Sequence, residues 1–125
     1  MDPKDYTLTV EEKTEYLRVT ARGKRSRENI ESLTWNVFHA ALEKRLSKIL
    51  IDIRELSGDF GFMDIFCLVK EVFHGLRGKG VDQIAVIDVH TTNRENWFLE
   101  PVAQSHGINI RVFPEEETAR KWLLE

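Results

Sequence analysis

Ile49-Leu50-Ile51-Asp52-Ile53-Arg54-Glu55 is the stretch from which the architecture of this chain is read. Its first five residues, Ile49 to Ile53, four of them large and aliphatic and three β-branched, leave almost no polar alternation. A strand with that composition is apolar on both sides, which is the pattern of a parallel strand covered on both faces. Ile84-Ala85-Val86-Ile87-Asp88-Val89 repeats the pattern and is bounded before it by Gly78-Lys79-Gly80. Two such strands need a long connection between them, since parallel neighbours cannot be joined by a tight turn.

The connection has the right sequence. Ile65, Leu68, Val69, Val72, Phe73 and Leu76 recur at helical spacing between the two strands. Upstream, Ser26 is placed to cap a helix whose apolar residues Ile30, Leu33, Val37, Ala41 and Leu46 roughly follow helical spacing, ending in the charged Glu43-Lys44-Arg45 region. Downstream, Thr92-Asn93-Arg94-Glu95 reads as a capping box, with Pro101 predicting a kink or a late start in the helix that follows. Ile108 to Phe113 alternates as a strand. Pro114 then opens a last helix, Glu115 to Leu124, with acids first and Arg120 and Lys121 late, matching the helix dipole.

The first twenty residues differ. Tyr6-Thr7-Leu8-Thr9-Val10 and Tyr16-Leu17-Arg18-Val19-Thr20-Ala21 alternate with period two around the polar Glu11-Glu12-Lys13-Thr14, the signature of a hairpin with one wet face. The expected order is β-β-α-β-α-β-α-β-α: an α/β fold with a mixed sheet of about five strands, a hairpin followed by parallel strands, and about four helices. At 125 residues it is expected to be one domain spanning 1–125.

That order, with Ile49 to Arg54, Ile84 to Asp88 and the ending Val112-Phe113-Pro114-Glu115-Glu116-Glu117-Thr118-Ala119-Arg120-Lys121-Trp122-Leu123, resembles the SpoIIAA-like branch of the STAS superfamily over nearly the whole chain. The resemblance implies a STAS/SpoIIAA-like fold, associated also with the CRAL-TRIO lipid-binding fold, and a non-catalytic regulatory or binding role. Members of the anti-anti-sigma group carry a phosphorylatable serine in an Asp-Ser-Ser/Thr-Gly segment after the central strand. Here Arg54-Glu55-Leu56-Ser57-Gly58-Asp59-Phe60-Gly61-Phe62-Met63-Asp64 stands in its place and departs from that motif. Ser57 is its only hydroxyl and the candidate phosphosite, set against a plain serine-glycine turn.

Three candidate sites remain. Phe60, Phe62, Met63 and Phe66 put large apolar side chains where a connection is ordinarily polar, so they either close over the core or form a surface for an apolar small molecule or a protein partner. Asp52, Glu55, Asp88 and His90 stand at strand ends, where open α/β sheets place ligands. Converged, they would suit a small metal-assisted hydrolase; apart, the aspartates would accept neighbouring backbone amides. The basic Arg22-Gly23-Lys24-Arg25-Ser26-Arg27 is an anion site or a solvated turn.

Composition narrows the classes. A net charge of −3 does not favour nucleic acid as a partner, and no uncharged apolar run is long enough to span a bilayer. The charged start, Met1-Asp2-Pro3-Lys4-Asp5, lacks a secretory pattern, so a cytoplasmic location is expected. Cys67, the single cysteine, reads as a small buried hydrophobe. His39, His74 and His106 form no metal motif, and Gly75 to Gly80 ends a helix where a phosphate loop would open one. No cofactor or metal is expected. A homodimer through the helix after the Phe60 segment is a further possibility.

Overall fold

Alternation along one strand explains most of the sheet. In the strand β2 (Leu17–Lys24), Leu17, Val19 and Ala21 are fully buried while Arg18 and Thr20 are half-buried and Arg22 is exposed. The computed structural model describes residues 6–24, 26–57, 80–88, 104 and 109–125, and it sets β2 second in a five-stranded sheet. The others are β1 (Tyr6–Glu12), β3 (Lys48–Ser57), β4 (Gln83–Ile87) and β5 (Ile110–Phe113), arranged β1-β2-β3-β4-β5. β1 and β2 pair antiparallel, as the hairpin pattern predicts; β2, β3, β4 and β5 are parallel neighbours.

Two helices stand among the described residues, one on each face of the sheet. The helix α1 (Arg27–Glu43) begins at Ser26, whose hydroxyl accepts the Asn29 N–H at 3.1 Å as the sequence expects. Its Ile30, Leu33, Val37 and Ala41 pack on Leu17, Val19, Ile49, Ile51, Ile84 and Val86. The helix α2 (Glu116–Leu124) covers the opposite face, where Ala119 and Leu123 meet Leu50, Ala85 and Ile87. Leu50 and Ile49 are both fully buried because each face has its own helix. The other two expected helices, with Cys67, His74, His106 and Pro101, lie outside the described residues.

Several boundaries shift for reasons of pairing. Gly23-Lys24, expected as a turn, continues β2 because Gly23 pairs with Leu56 and Lys24 with Ser57. For the same reason Arg54 to Ser57, expected as a loop, belongs to β3. The register slips by one residue between Thr20↔Asp52 and Arg22↔Glu55, so Leu56 returns to the α1 face and is buried there. The last strand starts at Ile110 instead of Ile108, and α2 starts at Glu116, with Glu115 as its N-cap residue making no side-chain cap bond. Leu46, expected among the helix's apolar residues, lies beyond the end of α1 and packs on the same core. Arg45 turns the chain there with φ 58°, its N–H donating to Leu42 O at 3.2 Å and the Leu46 N–H to Ala41 O at 2.9 Å.

Candidate functional site

Asp52 pairs in register with Thr20 on one side and Ile87 on the other, and Arg18 with Leu50. All therefore share the α2 face, at its polar end. Asp52 is 5 % exposed, too buried for a bare carboxylate. Its Oδ1 accepts the backbone N–H and the Nε–H of Arg54, each at 3.0 Å, and its Oδ2 accepts Arg54 Nη2 at 2.7 Å. Arg18 Nη2 stands 3.9 Å from the same oxygen.

Arg18 joins Asp52 to α2. Its Nε donates to Glu116 Oε2 at 2.9 Å and its Nη2 to Oε1 at 2.7 Å, while Nη1 donates to Thr20 Oγ1 at 2.8 Å. Arg120, one turn on, approaches Glu116 Oε2 at 3.8 Å. Glu116 sits in the first turn of α2, where a negative charge also suits the helix dipole. Five charged groups on three elements thus form one chain of contacts, Arg54–Asp52–Arg18–Glu116–Arg120.

The ionisation of these groups follows from the contacts. Burial opposes the charged form of Asp52, but hydrogen bonds from the Arg54 side chain and backbone, with attraction from Arg54 and Arg18, outweigh it and hold the carboxyl below its ordinary range. The Arg18 hydrogen bonds hold Glu116 below its own range in the same way, against partial burial. Arg18 is raised, chiefly by its hydrogen bonds to Glu116, and Arg54 is raised by those to Asp52. Asp52 and Glu116 therefore stay ionised and Arg18 and Arg54 stay charged, so none of these four is poised to exchange a proton near neutrality.

Because β3 runs on to Ser57, Asp52 lies within the strand and not at its end; the other residues expected at strand ends do not join its cluster. Glu55 lies on the solvent side, its Oε2 accepting Arg22 Nε at 2.9 Å. Asp88 is 1 % exposed, and its N–H donates to Phe113 O at 2.9 Å. It stands one residue beyond the end of β4. His90 lies outside the described residues. Among the described residues, no three His, Cys, Asp or Glu side chains gather to hold a metal ion.

Ser57 ends β3 as an exposed residue and donates its hydroxyl to Gly23 O at 3.2 Å. It is a strand-end serine beside β2 and not a turn residue. Of the basic cluster, Arg22 is taken by Glu55 and Ser26 by the α1 cap; Arg25 lies outside the described residues. His39 lies on the exposed side of α1, edge-on to Trp35 with ring centroids 5.9 Å apart. Phe60, Phe62, Met63 and Phe66 lie outside the described residues.

Sequence reading alone missed Arg18, Arg54, Glu116 and Arg120. A weak signal existed for two of them: Arg54 is two residues from Asp52 on a strand, and Arg18 is the one charged residue in the alternating run Tyr16 to Ala21. Glu116 carried none, because nothing in a strand at residue 18 announces a helix 98 positions later.

A family model described as SpoIIAA-like matches residues 16–124. No curated protein matches in sequence. Among solved structures, the chain is similar to an anti-sigma factor antagonist from Mycobacterium paratuberculosis, with a TM-score of 0.59 and 13 % identity, covering 99 % of this chain and 98 % of that one. It is also similar to an uncharacterized DUF3478-family protein with a SpoIIAA-like fold from Shewanella loihica, with a TM-score of 0.56 and 21 % identity, covering 98 % of this chain and 97 % of that one. At these identities the two structures establish the fold they share with this chain.

Proposed function

This chain belongs to the SpoIIAA-like family, and we propose that it is a non-catalytic regulatory domain that works by binding a protein partner or an apolar small molecule. The observation that carries this reading is the state of the carboxylates Asp52 and Glu55. Asp52 is buried and committed to Arg54 and Arg18, and Glu55 is paired with Arg22. The metal-assisted hydrolase considered above would use such carboxylates as metal ligands or proton carriers; these two acids are instead engaged with arginines. The anti-sigma factor antagonist with this fold supports the regulatory side of the reading.

We place the binding surface at Phe60, Phe62, Met63 and Phe66, which follow the carboxyl end of β3 in the chain. Thioether and aromatic side chains in one short glycine-containing segment suit an apolar guest or a partner's hydrophobic side chains. The working location is the cytoplasm. No described helix is long and apolar enough to cross a membrane.

The test compares what co-purifies with the gently isolated wild-type chain, with Phe62→Ser and with Asp52→Asn. Loss of the co-purifying component in Phe62→Ser and its retention in folded Asp52→Asn is the expected result. The reverse pattern would move the site to the strand ends and revive the metal-assisted hydrolase.

A second reading, a phosphorylation-controlled partner switch, is favoured by the exposure of Ser57 at the end of β3, with Lys24 opposite it in register. A phosphate there would meet a basic neighbour. Ser57→Ala should then abolish regulation while leaving the unmodified chain's binding intact; unchanged behaviour of both removes the switch.

A further inference from the structure

β1 is the first strand in the sheet order and, among the described residues, pairs only with β2. Its ladder runs from Tyr6↔Gly23 to Glu12↔Leu17 without a register shift. The opposite edge of residues 7–12 makes no backbone hydrogen bond to any described residue. Exposed edges of this kind template further pairing unless a bulge, a proline or an inward-pointing charge blunts them. Tyr-Thr-Leu-Thr-Val-Glu-Glu has no proline and no bulge, and its charges sit only at one end.

The side chains of β1 divide between the two faces. Tyr6, Leu8 and Val10 lie on the α1 side, where Tyr6 is buried and Leu8 packs on the core. The Tyr6 hydroxyl is 2.7 Å from Ser32 Oγ and accepts Asn36 Nδ2 at 3.0 Å, which ties this row to α1. Val10 continues the row yet is 40 % exposed. The apolar layer therefore reaches the sheet edge and stops at an uncovered valine.

The strand is its own complement. A two-fold axis through Thr9 and normal to the sheet sets Thr9 opposite Thr9 of a second copy, Leu8 opposite Val10, Thr7 opposite Glu11 and Tyr6 opposite Glu12. No acid then faces an acid, each Val10 gains an aliphatic neighbour, and both copies keep their α1 helices on one side of the joined sheet. Moving the axis to Val10 sets Leu8 against Glu12 and forfeits that match. We infer that β1 pairs antiparallel with β1 of a second copy about Thr9, joining the two sheets into one. This stands independently of the ligand or partner surface proposed above.

The experiment is light scattering on the full chain across a wide concentration range, with two variants. Thr9→Lys sets two ammonium groups face to face at the axis on the solvent-facing side, and should halve the mass while leaving circular dichroism unchanged. In a Cys67→Ser background, Thr9→Cys should form a disulfide-linked dimer under mild oxidation, because directly opposed residues bring their Cβ atoms to about 4.5–5.5 Å, close to disulfide reach. Thr118→Cys, exposed on α2, is the control that should stay unlinked. A wild-type chain that is monomeric throughout overturns the inference. So does a dimer that survives Thr9→Lys, or one in which Thr9→Cys links no better than Thr118→Cys.

Discussion

Arg18 on β2 and Glu116 at the start of α2 meet through two parallel hydrogen bonds of 2.9 and 2.7 Å. This pair, with the apolar contacts of Ala119 and Leu123, fixes the last helix to the sheet. Arginine matters here because its planar fork can bind Glu116, reach Thr20 and stay near Asp52 at once, which a lysine ammonium cannot do.

Removing the pair should cost measurable stability. Arg18→Met leaves the buried Asp52 with one arginine fewer, and a loss of about 1–3 kcal/mol is expected for a charge-assisted, partly buried bond. In a double-mutant cycle with Glu116→Gln the coupling should be about 1–2 kcal/mol. Urea unfolding measures both; a coupling near zero would mean that the pair is incidental.

Acid should loosen the fold through the same residues. Asp52 and Glu116 both titrate below their ordinary ranges in the folded chain. The unfolded chain therefore binds protons first as pH falls. The stabilisation is complete about a unit above the unfolded carboxyl values of about 4, and is lost as pH falls through those and then the lower folded values. Unfolding free energy measured from neutrality downwards should drop below about pH 5, and Asp52→Asn with Glu116→Gln should flatten that slope. An unaltered slope in the double variant contradicts the assignment.

The end of α1 offers a gain. Arg45 holds φ 58° at the position after the helix where glycine is strain-free. Arg45→Gly should stabilise the chain by about 0.5–1 kcal/mol, the left-handed strain relieved exceeding the added freedom of the unfolded chain. At the other end, Ser26→Ala should cost about 1 kcal/mol by freeing the Asn29 N–H. Denaturant midpoints test both; opposite signs would refute the end geometry.

Leu50 is the central apolar residue of the α2 face and has no solvent exposure. Leu50→Ala should destabilise by about 2–5 kcal/mol through the cavity left beside Ala119 and Leu123. A loss below about 1 kcal/mol, as for a surface site, would show that α2 does not pack there.

What could be read from residues alone was the part governed by local pattern. Ile49 to Ile53 announces a doubly covered strand because apolar residues on both faces have no other stable placement. Ser26 announces a helix start because its hydroxyl answers a bond the first turn leaves open. The extension of β2 through Gly23 and of β3 through Ser57 was not legible, since each strand continues only because the other is there to pair with it. The one-residue slip near Arg54 has the same origin: it turns Leu56 into the core, which its neighbours in sequence do not predict. The site divided likewise. Asp52 stands out as a carboxylate in an apolar run, and its acceptance of the Arg54 amide is a local matter; its tie through Arg18 to Glu116 is a product of the folded sheet.

The central claim is that the chain acts by binding, and paired native and denaturing mass spectra of protein isolated gently from its own cells test it most directly. The account predicts an added mass, distinct from a second copy of the chain, that is present in the native spectrum and lost on denaturation. A chain that carries no such mass in either spectrum contradicts it.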